Sequence, residues 1–266
     1  MSDVAGEIES KSGALLGSGD PAPVEIYQPT GKSRFLILCD HSDKIIPKKL
    51  GNLGLPQSEI ERHIGWDIGI AGVVRGMADA LDAVAILQPY SRLVIDCNRF
   101  PGGGTSIPTI SENTEIPGND RLTAEEMAAR RSEIFAPYHA AIIAELDKRK
   151  AAGEHTMLVS MHSFTPVYKG VARPWHVGTL YNRNAWLAGI VFELLSKEKD
   201  LVVGDNEPYA VADEFDYSIP VHGEQRNLPH VGIEIRQDLI APEVGQREWA
   251  ARMAQVFAEA ATRIPG

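Results

Sequence analysis

The sequence predicts an α/β protein in which a mostly parallel, mixed sheet lies between two layers of helices. Short apolar segments of strand length alternate with longer amphipathic segments of helix length, as is typical of this class. The run from Arg34 to Cys39 is apolar after its first residue, as expected for a central strand covered on both faces. Since no repeat and no clear linker interrupts the alternation, we expect one domain over residues 23–266, after a flexible tail at residues 1–22.

The strands are predicted from short apolar runs bounded by turn residues. They are residues 34–39, 84–87, 93–97, 157–161, 177–181, 201–203 and 231–235. Two long polar segments, residues 98–122 and 204–229, separate some of these elements. Loops of that length are uncommon in a compact domain and are often functional.

The helices are predicted at residues 56–82, 123–152, 184–198 and 242–263. Capping-box spacing marks the start of the first helix at Ser58 and Glu61, and of the second at Thr123 and Glu126. Pro137 falls inside the second helix, where it removes a backbone donor, so we expect a kink or a break there.

Composition excludes several classes of protein. The net charge of −10 and the absence of a long basic run argue against nucleic-acid binding. No stretch reaches the roughly 18 apolar residues of a membrane span, and residues 1–20 lack the apolar core of a signal peptide. Cys39 and Cys97 both lie in apolar runs and are expected to be reduced core residues. We therefore expect a cytoplasmic protein that binds neither nucleic acid nor membrane.

Two histidines stand at the ends of predicted strands, where sites form in open α/β sheets. His41 follows the first strand and His162 follows residues 157–161, so both are candidate metal ligands. Lys44 occupies the position at which a His-x-x-Glu motif would supply a carboxylate. The candidate third ligand is therefore Asp67, one helical turn after His63 on the same face of the predicted helix.

Glu234 lies in the predicted strand 231–235, and Arg236 directly follows that strand, so both side chains are expected on one face. A carboxylate inside a strand costs free energy unless it is paired or functional. Two interpretations remain open from the residues alone: an internal Glu–Arg ion pair, or a general acid or base with a pKa raised by burial. His222, in the second long polar segment, is a further candidate. No Gly-x-Ser-x-Gly turn surrounds a serine, which argues against a serine hydrolase.

Four segments together resemble the N-formylglutamate amidohydrolase family. They are Cys-Asp-His-Ser-Asp at residues 39–43, Tyr-Ser-Arg-Leu-Val-Ile-Asp-Cys-Asn-Arg at 90–99, Met-His-Ser-Phe at 161–164, and residues 222–238 from His222 to Asp238. The resemblance spans roughly residues 34–240. It implies kinship with zinc carboxypeptidases and aspartoacylase-like deacylases, and thus the zinc carboxypeptidase (phosphorylase/hydrolase-like) fold with one zinc ion, although another divalent metal is possible.

The resemblance also implies roles for individual residues. Glu234 would be the general base, Asn98 and Arg99 would bind the substrate carboxylate, and His162 would hold the metal. To these roles we add our own hypotheses: His41 and Asp67 complete the metal ligands, Arg92 or His222 stabilises the oxyanion together with the zinc ion, and Arg236 also binds the substrate. The expected substrate is a small anionic N-acyl amino acid such as N-formylglutamate, cleaved to formate and glutamate.

Two alternatives remain open. The chain could be a deacylase or carboxypeptidase for another N-acyl amino acid or peptide. It could also be a non-catalytic anion-binding protein on the same fold, for which Lys44 is the supporting residue. The sequence leaves the acyl group, the metal and the oligomeric state open.

Overall fold

A computed structural model describes residues 14–264. The strands are β1 (Glu25–Tyr27), β2 (Phe35–Cys39), β3 (Val84–Leu87), β4 (Ile110–Ser111), β5 (Thr114–Glu115), β6 (Met157–Phe164), β7 (Val167–Tyr168), β8 (Val171–Ala172), β9 (Val177–Leu180), β10 (Val203–Asp205) and β11 (His230–Arg236). The α-helices are α1 (Gln57–Ile60), α2 (Ile70–Leu81), α3 (Ala124–Arg130), α4 (Ala136–Ala151), α5 (Trp186–Leu195) and α6 (Glu243–Thr262).

Seven of the strands form one mixed sheet in the order β1-β3-β2-β6-β11-β9-β10. The four central strands, β3, β2, β6 and β11, run parallel to one another. β1 pairs antiparallel with β3 at one edge, and β9 pairs antiparallel with β11 toward the other. The remaining strands form two small hairpins, β4–β5 and β7–β8.

Helices cover both faces of the sheet. Alternate residues of β2 point to opposite sides, as the strand period requires. Phe35 and Ile37 pack with residues of α2, α5 and α6, whereas Leu36 and Leu38 pack with residues of α4. The expected three-layer arrangement with a mostly parallel mixed sheet is therefore confirmed. None of the helices within residues 14–264 combines the length and the apolar character needed to cross a lipid bilayer.

The long helix predicted at residues 123–152 forms, and it begins at the predicted capping box. Thr123 accepts a hydrogen bond from the Glu126 backbone, and the Glu126 side chain bonds back to the Thr123 N–H. The chain does not break at Pro137. A π-helical turn, Arg131–Phe135, joins α3 to α4 immediately before it. Such a bulge adjusts the backbone where proline cannot donate.

The helix predicted over residues 56–82 is wrong as one continuous element. Only α1 and α2 are helical, and residues 61–69 form turns between them. Gly69 adopts φ +81°, a backbone conformation that favours glycine, and a Cβ there would lie 2.0 Å from the Ile240 carbonyl oxygen. The segment between α1 and α2 is thus fixed by tertiary contacts that an amphipathic pattern does not reveal.

The strand predicted at residues 93–97 is also wrong. This segment forms turns outside the sheet, and the Asp96 N–H donates to the Ser106 carbonyl. Its apolar side chains are buried on the face of the sheet that α4 covers. β3 and β6 already flank β2, so no strand position beside β2 is left for it.

The predicted tail at residues 1–22 lies partly outside the described residues, up to residue 13. From residue 14 the chain packs against the fold. Leu15 is buried, and the backbone N–H groups of Leu15 and Leu16 each donate to the Glu133 carboxylate at 2.8 Å. Residues 14–22 therefore belong to the packed structure, because buried apolar contact and two charge-assisted bonds hold their start.

Candidate metal and catalytic centre

A cavity of about 610 Å³ opens at the carboxyl ends of β2, β6 and β11. Parallel strands end at one edge of a sheet, so residues at their carboxyl ends converge. His41 follows β2 by two residues, His162 lies near the end of β6, and Glu234 lies near the end of β11. All three line the cavity.

His41, Asp67 and His162 form a buried cluster at this edge. Their potential ligand atoms all lie within 4.8 Å of one another. Asp67 Oδ2 is 3.4 Å from His41 Nδ1 and 3.0 Å from His162 Nδ1. Two imidazole nitrogens and one carboxylate oxygen are a donor set that suits a catalytic zinc ion. The residues present therefore fit a divalent metal.

Asp67 reaches the cluster from the turn before α2, not from a helix. Its backbone N–H donates to the His41 carbonyl at 3.0 Å, which ties the turn to the end of β2. Lys44, whose ammonium group lies 4.9 Å from the centre of the Trp66 ring, is not among the residues that line the cavity. Asp67 therefore offers a carboxylate to the cluster, whereas Lys44 does not take part in it.

Carboxylates behind the cluster orient both imidazoles. The second ring nitrogen of His41, Nε2, donates to Asp96 Oδ1 at 2.8 Å. His162 Nε2 lies 2.9 Å from Ser160 Oγ and 3.3 Å from Asp40 Oδ2. A hydrogen-bond acceptor at Nε2 keeps the ring proton on Nε2, so that the lone pair of Nδ1 is available to a metal ion. Both rings thus present Nδ1 toward Asp67.

Asp40 is itself held in place. Its Oδ1 accepts hydrogen bonds from the Tyr138 hydroxyl at 2.8 Å and the Ser218 hydroxyl at 2.7 Å. Burial would raise the pKa of Asp40, but hydrogen bonding and charge from His162, with the Ser218 bond, lower it below its usual range. Asp40 is therefore an ionised, fixed acceptor beneath His162.

Glu234 lines the cavity, and no residue within 14–264 forms an ion pair with it. Burial, the largest effect, raises its pKa to about 7, with Asp67 adding to the rise while His162 and Arg92 oppose it. Its Oε2 is buried and has no hydrogen-bond partner among the described residues. Of the two interpretations left open by the sequence, the internal Glu234–Arg236 ion pair is wrong, because Arg236 pairs with Asp238 instead.

Arg92 lies beside the cluster and lines the cavity. Its guanidinium donates to Asp96 Oδ2 at 2.7 Å and, more weakly, to Asp67 Oδ1 at 3.4 Å. Burial would lower the pKa of Arg92, but the charges of Asp96 and Asp67 raise it above its usual value. Arg92 therefore stays charged beside the cluster of His41, Asp67 and His162.

Asn98 and Arg99 line the same cavity near its mouth. Asn98 Oδ1 accepts from the backbone N–H groups of Tyr217 and Ser218, and its amide group donates to Asp216. Arg99 donates to Asp216 at 2.9 Å through Nη1, which also makes its other hydrogen bonds among the described residues. Asn98 thus holds the loop, while Arg99 presents a partly exposed guanidinium to the cavity.

The structure does not bring His222 or Arg236 to the cavity. His222 lies on a π-helical turn, is fully buried, and its Nε2 pairs with His139 Nδ1 at 2.8 Å. Arg236 lies at the end of β11, where it bonds Asp238 and the carbonyl of Arg173. Neither is among the lining residues. The expected catalytic role of His222 and the expected substrate contact of Arg236 are therefore wrong. Both side chains make contacts within the fold, outside the cavity.

Sequence reasoning missed Asp40, Tyr138 and Ser218 as a supporting group. Position after a strand could have singled out Asp40, because it precedes His41 directly. No sequence signal links it to Tyr138, 98 positions away, or to Ser218, 178 positions away. Their meeting depends on how α4 and the turn near residue 218 pack over β2.

Comparison with known proteins agrees with this architecture. The sequence model described as N-formylglutamate amidohydrolase matches residues 33–241. The crystal structure of gene product Atu2144 from Agrobacterium tumefaciens is 33% identical over 94% of this chain and 98% of that chain, with a TM-score of 0.90. An N-formylglutamate amidohydrolase structure from Ralstonia eutropha JMP134 is 19% identical over 91% of this chain and 97% of that chain, with a TM-score of 0.58. No curated protein matches the chain.

Proposed function

Because the chain belongs to the N-formylglutamate amidohydrolase family, we propose that it is a metal-dependent amidohydrolase that cleaves an N-acyl amino acid such as N-formylglutamate. The products are then formate and glutamate. The observation that carries the proposal is the buried cluster of His41, Asp67 and His162 beside a carboxylate, Glu234, with a pKa of about 7.

The metal would be held by His41, Asp67 and His162, and we propose zinc. A bound zinc ion supplies Lewis-acid polarisation of the acyl carbonyl and lowers the pKa of water. The burial of all three ligands supports this assignment, because a dry site strengthens each electrostatic interaction within it.

Glu234 is the proposed general base and general acid. It takes a proton from the attacking water at its carboxylate and then delivers that proton to the leaving amine nitrogen. Burial raises the pKa of Glu234, which suits both steps because the carboxyl then holds a proton more readily than an exposed glutamate does. Its partnerless Oε2 is the atom free to hold the proton.

Arg92 is the proposed oxyanion stabiliser from the chain itself. Its cationic guanidinium lines the cavity beside Asp67, where negative charge develops on the acyl oxygen during attack. His222, buried outside the cavity, is not part of this proposal.

Arg99 is the proposed contact for the substrate α-carboxylate. Its bonds to the described residues leave from Nη1, so Nε and Nη2 remain for a carboxylate, and a guanidinium suits a bidentate contact. Asn98 supports this position by fixing the backbone of Tyr217 and Ser218. This matters in a protein of net charge −10, whose overall field opposes an anionic substrate.

Release of the free amino acid from a panel of N-formyl and N-acetyl amino acids tests the proposal. The protein is assayed as purified, after removal of metal by a chelator, and after zinc is restored. We expect turnover of N-formylglutamate that disappears on chelation and returns with zinc. Turnover that persists in the chelated protein would rule out the metal, and no turnover of any N-acyl amino acid would rule out the reaction.

A further inference from the structure

A small apolar pocket forms part of the cavity wall, apart from the two main hydrophobic cores. Leu180, Val211 and Ile219, together the apolar pocket, pack as a separate cluster of buried residues, and all three line the cavity. Leu180 ends β9, and Ile219 begins the π-helical turn Ile219–Glu224. Val211 lies in the irregular segment before that turn. Two apolar side chains of the pocket thus come from the second long polar segment of the sequence.

The register of the sheet places the apolar pocket beside the proposed base and deeper in the cavity. Gly232 precedes Glu234 by two residues on β11, so both positions face the same side of the sheet. Glu234 is paired with His162 of β6. Gly232 is paired with Leu180 of β9. Because the cavity opens at the carboxyl ends of the parallel strands, Gly232 lies farther from its mouth than Glu234 does.

Gly232 allows apolar side chains to cover the strand at this depth. A Cβ at Gly232 would lie 3.0 Å from Ile219 Cδ1 and 3.1 Å from Leu180 Cβ, closer than an optimal contact between carbon atoms. Since glycine has no side chain, both residues approach the β11 backbone, and Gly232 still lines the cavity. One side of the wall next to Glu234 is therefore hydrocarbon, which accepts an apolar group and disfavours a polar one.

The two ends of the proposed substrate differ in depth. Arg99, assigned to the α-carboxylate, is partly exposed near the mouth, whereas the three side chains of the apolar pocket are buried. The amino-acid part of the substrate is then the outer end, and the acyl group, beside the metal ligands and Glu234, is the inner end. A formyl group carries only a hydrogen atom on its acyl carbon and would leave the apolar pocket unfilled. An alkyl chain on that carbon would extend into it.

We propose that the apolar pocket binds the alkyl chain of the acyl group, so that the protein favours N-acetyl to N-butyryl amino acids over N-formyl amino acids. The inference rests on the proposed function, because it assigns the acyl end of the same substrate. Positions 232 and 234 lie about 7 Å apart along the strand. A chain of a few carbon atoms that starts beside Glu234 therefore reaches Leu180 and Ile219. Each methylene group removed from water strengthens binding by about fourfold.

Binding of a series of acyl lengths tests this assignment without turnover. The zinc-loaded Glu234→Gln variant is titrated with the N-formyl, N-acetyl, N-propionyl and N-butyryl derivatives of glutamate, which differ only in the alkyl chain. We expect Kd to fall about fourfold for each carbon atom added. Adding Val211→Thr, which keeps the shape of the side chain but places a hydroxyl in the apolar pocket, should reduce this gain and leave the binding of N-formylglutamate unchanged.

Two further variants complete the design. Val202→Thr makes the same substitution at an exposed valine that does not line the cavity, and it should keep the full gain per carbon atom. Ile219→Ala removes apolar surface from the pocket, should also reduce the gain, and provides the answer if Val211→Thr does not fold. A Kd that stays constant or rises with chain length, or a gain that is the same with and without the pocket substitutions, would overturn the proposal.

Two other outcomes are distinguished by the same reagents. If Val211→Thr weakened N-formylleucine but not N-butyrylglutamate, the apolar pocket would hold the amino-acid side chain, and the proposal would be overturned. Turnover of N-formylglutamate by the wild type that falls steadily as the acyl chain lengthens would also refute the acyl assignment while leaving the proposed reaction standing. A gain in binding with chain length in a protein that hydrolyses no member of the series would support the pocket and refute the reaction.

Discussion

His162 and Glu234 are paired residue to residue across two parallel strands, β6 and β11. Side chains at paired positions of neighbouring strands lie on the same side of the sheet. One strand therefore brings an imidazole to the metal cluster, and the next brings a carboxylate beside it. The fixed register sets the spacing of these two groups without any flexible loop between them.

Replacing Glu234 by glutamine should lower kcat by about 10²–10⁴-fold, the usual contribution of a general acid or base. Glutamine keeps the shape of the side chain but cannot hold the proton, so metal content and thermal stability should remain near wild type. The matched control is Glu243→Gln, at the exposed start of α6. A kcat within a few-fold of wild type for Glu234→Gln would refute the assignment of the base.

Replacing Asp40 by asparagine should weaken metal binding by about 10–100-fold, as expected for a group that orients a ligand from behind. The negative charge beside His162 Nε2 is lost, although the side chain keeps its size. Competition with a chelator measures the change in metal Kd. Ser218→Ala, which removes only one of the bonds to Asp40, should have a smaller effect, and an unchanged Kd in Asp40→Asn would contradict the role.

The candidate metal ligands could be predicted to lie together because each residue left a local signal. His41 and His162 stand at strand ends, and the parallel order of those strands follows from the alternation of elements. The sequence predicts Asp67 on a helix, one turn after His63, and this reason is wrong. Asp67 lies in a turn that Gly69 and His41 hold in place. Residues that act through long-range packing were not predictable. His222 pairs with His139, and Arg173 meets Tyr209, across separations that no pattern encodes.

The His139–His222 pair should make the protein less stable in mild acid. Burial lowers the pKa of His139 to about 4, and burial together with the charge of His139 lowers that of His222 to about 3. The unfolded chain takes up protons on these histidines as the pH falls below about 6.5, whereas the folded protein does not. The stability they contribute is therefore fully present above pH 6.5 and is lost as the pH falls toward 4.

Urea unfolding between pH 7 and pH 4 measures this effect. Between about pH 6.5 and pH 4, each histidine should add about 1.4 kcal/mol per pH unit to the slope of the unfolding free energy against pH. The double variant His139→Gln, His222→Gln should show a correspondingly flatter slope. An identical pH dependence in the wild type and the double variant would show that the pair titrates normally in the folded protein.

Metal content, measured by mass spectrometry on the purified protein, tests the central claim most directly. The comparison includes His162→Ala and, as a control, His155→Ala, which replaces an exposed histidine that does not line the cavity. We expect about one divalent metal ion per chain in the wild type and in His155→Ala, as for a mononuclear catalytic site, and a loss of that ion in His162→Ala. A wild-type protein without metal after incubation with excess zinc, or a His162→Ala variant with full metal content, would contradict the claim.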